Sequence, residues 1–372
     1  MKKMIFSTLL VCLVLILSSW GSKGHKKISS NAPQGYPPAM QFLKPSWTNF
    51  VTNHASDADY RKDQDPDESP RHYIDIDNYP EFLQTGTINQ NYDSVVARYG
   101  LWFVMDQGTL PWATRRCYDS LKSCFSRGDW NRSALFAADL GHYVGDGHMP
   151  LHITANYNGQ ITGNTGVHSR YETYMISRYE SMIQYEVDSA RFIHNVSDYI
   201  FDYLYLNYQY VDSILYADSS ATAASGTVGT ELYYQNLWSK AQHFTTWFMK
   251  TGSEALSSLI YTAWVEAGSP RMYPNSIDDP EDLDQPYVSA IYPNPATDHI
   301  IIPLVNSSSR EAFSIRIYDA YGRLVDELEG HYAQEGVSKI RYDLGKLGDG
   351  IYICHFRSGN YTGSGRFVVS AR

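Results

Sequence analysis

Residues 271–286, RMYPNSIDDPEDLDQP, separate two patterns that no single layer of structure can satisfy. Before them, from Ser46 to about Gly268, apolar residues recur at helical spacing, as in YDSVVARYGLWFVMD, WNRSALFAADLGHYVGD and TELYYQNLWSKAQHFTTWFMKTGSEALSSLI. After them come short alternating runs, HIIIPLV, FSIRIYDA, SKIRYDL, GIYICHF and GRFVVSA, set apart by turns such as YGR, LGDG and SGNYTGSG. A period of 3.6 buries one stripe of a helix, and a period of two buries one face of a strand. The expected fold is therefore a mainly α-helical domain followed by a small all-β sandwich of about 85 residues, joined by a proline- and acid-rich linker. LPWAT, GDWN, NYNGQITGNTG and SSATAASGTVG punctuate the helical part.

The chain opens MKKMIFSTLLVCLVLILSSW, with two lysines, an apolar run from Met4 to Leu17 and small serines. This pattern reads as a secretory signal peptide over 1–19, its apolar run being short for a membrane span. The expected divisions are then a helical domain at 20–270, the linker at 271–286 and the sandwich at 287–372. A formal net charge of -10 gives no broad attraction for nucleic acid, so a polyanionic substrate would need local positive charge such as metal ions. Cys12 leaves with the signal. Cys117 and Cys124 would sit about 10 Å apart on a helix, too far for a disulfide, and no CxxC pair suggests a thiolate site. The HExxH of zinc proteases is also absent.

HYVGDGHMPLH, residues 142–152, concentrates the chemistry. His142 and Asp146 are four apart and share a helix face, a spacing repeated by His168 and Glu172 in VHSRYE. Pro150 should end the helix and bring His152 back towards the same point. Upstream, HASDADYRKDQDPDESPRHYIDID supplies Asp57, Asp59 and His72. The acids between them lack the spacing of a calcium loop and read as solvated surface. WGSKGHKKISS adds His25, and cleavage before Trp20 would create a chelating pair from its α-amino group and carbonyl.

In this order the residues resemble the trinuclear zinc superfamily that contains bacterial zinc-dependent phospholipase C and the fungal single-strand-specific nucleases. The resemblance runs from Trp20 to about Gly268 and implies three zinc ions. Trp20, His25 and Asp146 would hold one, Asp59, His72 and His142 the second, and Asp146, His152, His168 and Glu172 the third. Asp59 is taken over Asp57 because a small residue precedes the aspartate in the family, and it would act as general base or orient the attacking water. His148 falls between ligand positions and is expected behind them or exposed. His54, His194 and His243 match no ligand, while Tyr143 and Tyr171 are expected to pack beside the ligands.

The implied activity is phosphodiester hydrolysis. GVHSRYE and GHYVGD look like the phospholipase C branch, which acts on phospholipid headgroups at a membrane surface, whereas SDADYR with RHYID has the flavour of the nuclease branch and would imply single-stranded nucleic acid. A non-catalytic zinc-binding surface protein is the alternative of another class. The tail, through YPNPATDHIIIP, IRIYDAYGRLV, LGDGIYICHF and FVVSAR, resembles the C-terminal sorting domain of the type IX (Por) secretion system. That resemblance implies a partner in the secretion machinery and a secreted or surface-exposed product.

Overall fold

The computed structural model describes residues 21–43, 45–62, 65–271, 287–288, 291–306, 312–331, 336–358 and 361–370. The expected signal peptide, Trp20 and all of the expected linker except Arg271 lie outside the described residues. The chain divides into two compact units, 1–275 and 276–372. The first is mainly helical, and the second consists of antiparallel strands in two sheets.

The helical unit contains Gly21–Asn31 (α1), Pro45–Asn53 (α2), Asp57–Arg61 (α3), Pro80–Thr85 (α4), Tyr92–Tyr99 (α5), Leu101–Asp106 (α6) and Leu110–Arg127 (α7). Trp130–Gly147 (α8), Val167–Ser169 (α9), Ile176–Tyr179 (α10), Val196–Tyr208 (α11), Val211–Ser225 (α12) and Glu231–Glu266 (α13) follow. No described helix is long and apolar enough to cross a membrane.

Local sequence sets the pairing of α7 with α8. Pro111 occupies the first turn of α7, where its missing N–H is no loss, so LPWAT starts a helix instead of breaking one. Gly128 takes the left-handed conformation (φ 67°) that ends α7, and the Asp129 side chain then accepts from Arg132 N at 3.2 Å to cap α8. Trp47 from α2 fixes the start of α8 by donating its indole N–H to Ser133 Oγ at 3.1 Å. The 36-residue α13 packs against α1, α7, α8 and α12.

SSATAASGTVG is not wholly a break, because α12 runs through its first seven residues to Ser225. Alanine favours the helix, and Thr222 and Ser225 turn their hydroxyls back to Asp218 O and Ala221 O at 2.9 and 2.7 Å. The left-handed Gly226 then stops it.

The second unit has strands Tyr287–Val288 (β1), His299–Asn306 (β2), Ala312–Asp319 (β3), Leu324–His331 (β4), Gly336–Asp343 (β5), Gly350–Ser358 (β6) and Tyr361–Val369 (β7). One sheet has the order β1-β2-β5 and the other β4-β3-β6-β7, with every pairing antiparallel. Alternation places Ile300, Ile302, Leu304, Ile315, Ile317, Cys354, Phe356 and Phe367 in a shared core. Cys117, Cys124 and Cys354 are buried free thiols.

Candidate metal centre

α8 carries the hub of the site. His142 and Asp146 project from one face of its last turns and are completely buried. After Gly147 the chain enters a short 3-10 turn, Pro150–His152, which folds His152 back towards Asp146. His168 lies on α9, and Glu172 lies on the π-helical turn Arg170–Met175, an irregularity common at functional sites. α1 brings His25, whose ring stacks on that of His142 at 3.9 Å. Asp59 comes from α3 and His72 from the turn Ser69–His72.

The ligand-type atoms converge around Asp146. Its Oδ2 lies 3.0 Å from His72 Nδ1 and 3.3 Å from His142 Nε2, and its Oδ1 is 3.6 Å from both His25 Nε2 and His152 Nδ1. Asp59 Oδ1 stands 3.6 Å from His142 Nε2 and 3.7 Å from His72 Nδ1. Glu172 faces His168 Nε2 at 3.2 Å and His152 Nε2 at 3.4 Å. Three groups have metal-compatible spacing: His25 with Asp59 and His142, His72 with His142 and Asp146, and His152 with His168 and Glu172. Eight of the nine sequence candidates therefore meet in one place, while Trp20 lies outside the described residues. The grouping differs from the expected one in that Asp146 sits closest to His72 and His142. Asp57 points elsewhere, pairing with His54 at 2.7 Å.

Three histidines are held by backbone carbonyls. Nδ1–H of His142 donates to Ala55 O at 2.8 Å, that of His152 to His72 O at 2.6 Å and that of His168 to Tyr157 O at 3.1 Å. Such bonds fix the tautomer that leaves the Nε2 lone pair for a cation. His152 Nε2, His168 Nε2 and both Glu172 oxygens are buried and make no hydrogen bond, although they stand face to face. Burial alone would raise the pKa of Asp146, but His142 and His152 hold it well below the usual carboxylate range. Glu172 is also lowered against burial, by His168 and His152. Burial opposes protonation of His142, yet Asp146 and Asp59 push it up to about 9. Buried carboxylates among imidazoles, which offer their lone pairs once a metal displaces the proton, are the donor set that fits zinc.

Sequence reasoning missed two charged neighbours. Lys62 Nζ reaches Asp59 Oδ1 at 2.7 Å. Glu68, expected on solvated surface, is 1% exposed. It accepts from Tyr143 Oη at 2.5 Å and Arg71 Nη1 at 2.8 Å, contacts Arg61 Nε at 3.3 Å, and faces His72 Nε2 at 3.4 Å. It thereby turns His72 Nδ1 towards Asp59 and Asp146. The four-residue spacing of Glu68 and His72 was its only sequence signal. Tyr143 and Tyr171 pack in the interior as expected, whereas His148 is neither exposed nor directed at the ligands. Burial lowers its pKa to about 4. His54 is partly exposed, and His194 and His243 lie on the surface.

No curated protein matches the chain. Among solved structures, Alpha Toxin from Clostridium Absonum is similar at 12% identity and a TM-score of 0.42, over 94% of this chain and 98% of that one. Clostridium perfringens alpha-Toxin from avian strain SWCP is similar at 9% identity and a TM-score of 0.45, over 94% and 97%. Dimeric latent PorU from Porphyromonas gingivalis is similar at 24% identity and a TM-score of 0.20, over 23% of this chain and 9% of that one. At the family level, residues 290–370 match the secretion system C-terminal sorting domain, so that the β unit carries the pattern of a sorting domain.

Proposed function

We propose that this chain is a secreted zinc-dependent phosphodiester hydrolase of the phospholipase C type, exported through type IX secretion by its C-terminal unit. The carrying observation is the hub itself, in which His142, His152 and His168 are pinned through Nδ1 while Nε2 points to buried carboxylates. His25, Asp59, His72, His142, Asp146, His152, His168 and Glu172 would hold the ions, with Trp20 as the ninth ligand. Bound zinc supplies positive charge for the phosphoryl oxygens and acidifies water.

The residues of the chain orient the reaction. Burial would raise the Asp59 carboxyl, but His142 and Lys62 lower it, so it is ionised at neutral pH. From the edge of the cluster, at 11% side-chain exposure, it can align a water and accept its proton. Lys62 limits the freedom of that carboxylate and adds a positive charge where a phosphate would approach.

The nuclease reading is favoured by one observation, the exposed aromatic rings beside the ligands. Tyr60, 63% exposed, follows Asp59, and Tyr157, 38% exposed, lies 6.2 Å from the His168 ring; unpaired bases could stack on them. Turnover of phosphatidylcholine vesicles and single-stranded DNA, each before and after chelation and zinc repletion, tests the assignment. Zinc-dependent release of the phosphorylated headgroup is expected. Cleavage of DNA alone would move the protein to the nuclease branch, and inactivity on both in the zinc-loaded state would leave a non-catalytic surface protein.

A further inference from the structure

A cavity of about 380 Å³ lies beside the C-terminal end of α8 and is lined by none of the candidate zinc ligands. His148, which follows α8, lines it together with residues of α11, α13 and the segment around Asp188–Arg191. His148 and Asn207 are 2% and 1% exposed. The Nδ1–H of His148 donates to Val144 O at 2.7 Å, so its Nε2 is an acceptor, and it has no hydrogen-bond partner among the described residues. Asn207 Nδ2 donates to Gly147 O at 2.8 Å, which fixes the amide and makes Oδ1 an acceptor, again without a partner. Asn207 Oδ1 is a buried acceptor without a partner, which is rare in a folded interior, and His148 Nε2 is a second unpartnered acceptor among the lining residues.

The remaining lining selects the ligand. Tyr199, Tyr203 and Trp247 supply aromatic faces, which attract cations. Asp188 and Glu254 are both occupied by Lys250 at 3.2 Å, whereas the exposed Asp202 has no hydrogen bond or ion pair among the described residues. Arg191 also lines the cavity, but its guanidinium lies over the Tyr199 ring at 5.5 Å. The buried Tyr203 Oη also lacks a partner and offers a donor beside Arg191, so it is the two acceptors with Asp202 that favour a donor-bearing cation, and a quaternary ammonium would leave both acceptors without a donor.

We propose that this cavity binds a small primary ammonium compound, whose N–H groups reach His148 Nε2 and Asn207 Oδ1 while Asp202 and the aromatic walls take its charge. A free amine and an ethanolamine lipid headgroup share this chemistry. Calorimetric titration of the zinc-loaded full chain with ethanolamine, choline and acetate, and flotation with phosphatidylethanolamine and phosphatidylcholine vesicles, separate the sources. Ethanolamine is expected to bind about tenfold more tightly than choline, with no heat from acetate. Substitution Asp202→Asn, at an exposed rim position, should weaken ethanolamine about fivefold or more, and Asn207→Leu should abolish binding with the circular dichroism unchanged. Binding of free ethanolamine assigns the site to soluble amines, and co-flotation with phosphatidylethanolamine alone, lost in Asp202→Asn, assigns it to the headgroup. No response to either ethanolamine form, equal affinity for choline, or wild-type affinity in both variants overturns the proposal.

Discussion

Asp146 stands within 3.6 Å of four imidazole nitrogens from His25, His72, His142 and His152. The substitution Asp146→Asn removes a charge that no neighbour replaces, so zinc content measured by mass spectrometry should fall by about two ions. His148→Asn, outside the cluster, should leave it unchanged. Glu68 acts one layer further out. Burial would raise its pKa, but His72, Arg61 and Tyr143 hold it far below the usual range. A carboxyl depressed in the folded state contributes stability that is fully present above its unfolded value and is lost as pH falls through the folded one. Glu68→Gln should therefore cost on the order of 3 kcal/mol in urea unfolding at pH 7, with the difference from wild type shrinking in acid. The eight candidates that converge were legible as an ordered set resembling the zinc superfamily, because one i,i+4 pair such as His142 and Asp146 says little alone. Glu68 was not, since its burial depends on Arg61, Arg71 and Tyr143, which only the tertiary fold assembles.

Among elements, the approach of α1 to α8 decides whether His25 can join the hub. Gly145 makes that approach possible, because a Cβ there would stand 2.7 Å from His25 Nδ1 and 3.0 Å from its Cε1. Gly145→Ala should displace His25, lowering zinc content while retaining helical circular dichroism, and destabilise by roughly 1–3 kcal/mol. A variant with full zinc content would show that α1 can shift without loss of the site. The same scale explains which elements the sequence announced. The expected runs include β2, β3, β5, β6 and β7, whose apolar residues alternate, but not β4, LVDELEGH. That strand lies at the edge of its sheet, where acidic residues discourage further pairing and hide the periodicity. Likewise, the Ser and Thr residues of α12 suggested a turn until their hydroxyls were seen bonded to the preceding turn.

For the whole molecule, the change of periodicity at 271–286 marks two units whose stability has different sources. The β unit has its own apolar core of Ile300, Ile302, Ile315, Ile317, Phe356 and Phe367, with no candidate zinc ligand in it. The helical unit instead buries Asp146 and Glu172 among histidines at its centre, an arrangement whose charge a cation balances. On the proposed function zinc would bind the folded site and not the unfolded chain, and each ion at a concentration about a thousandfold above its dissociation constant would stabilise that unit by about 4 kcal/mol. For a domain of this size the helical unit should melt roughly 10 °C lower for each ion that chelation removes, and zinc should restore it. Scanning calorimetry with and without chelator should thus give two transitions, of which only the larger moves. An equal shift of both would mean that the two cores unfold as one cooperative unit, and no shift in either would mean that the carboxylate hub is stable without a cation.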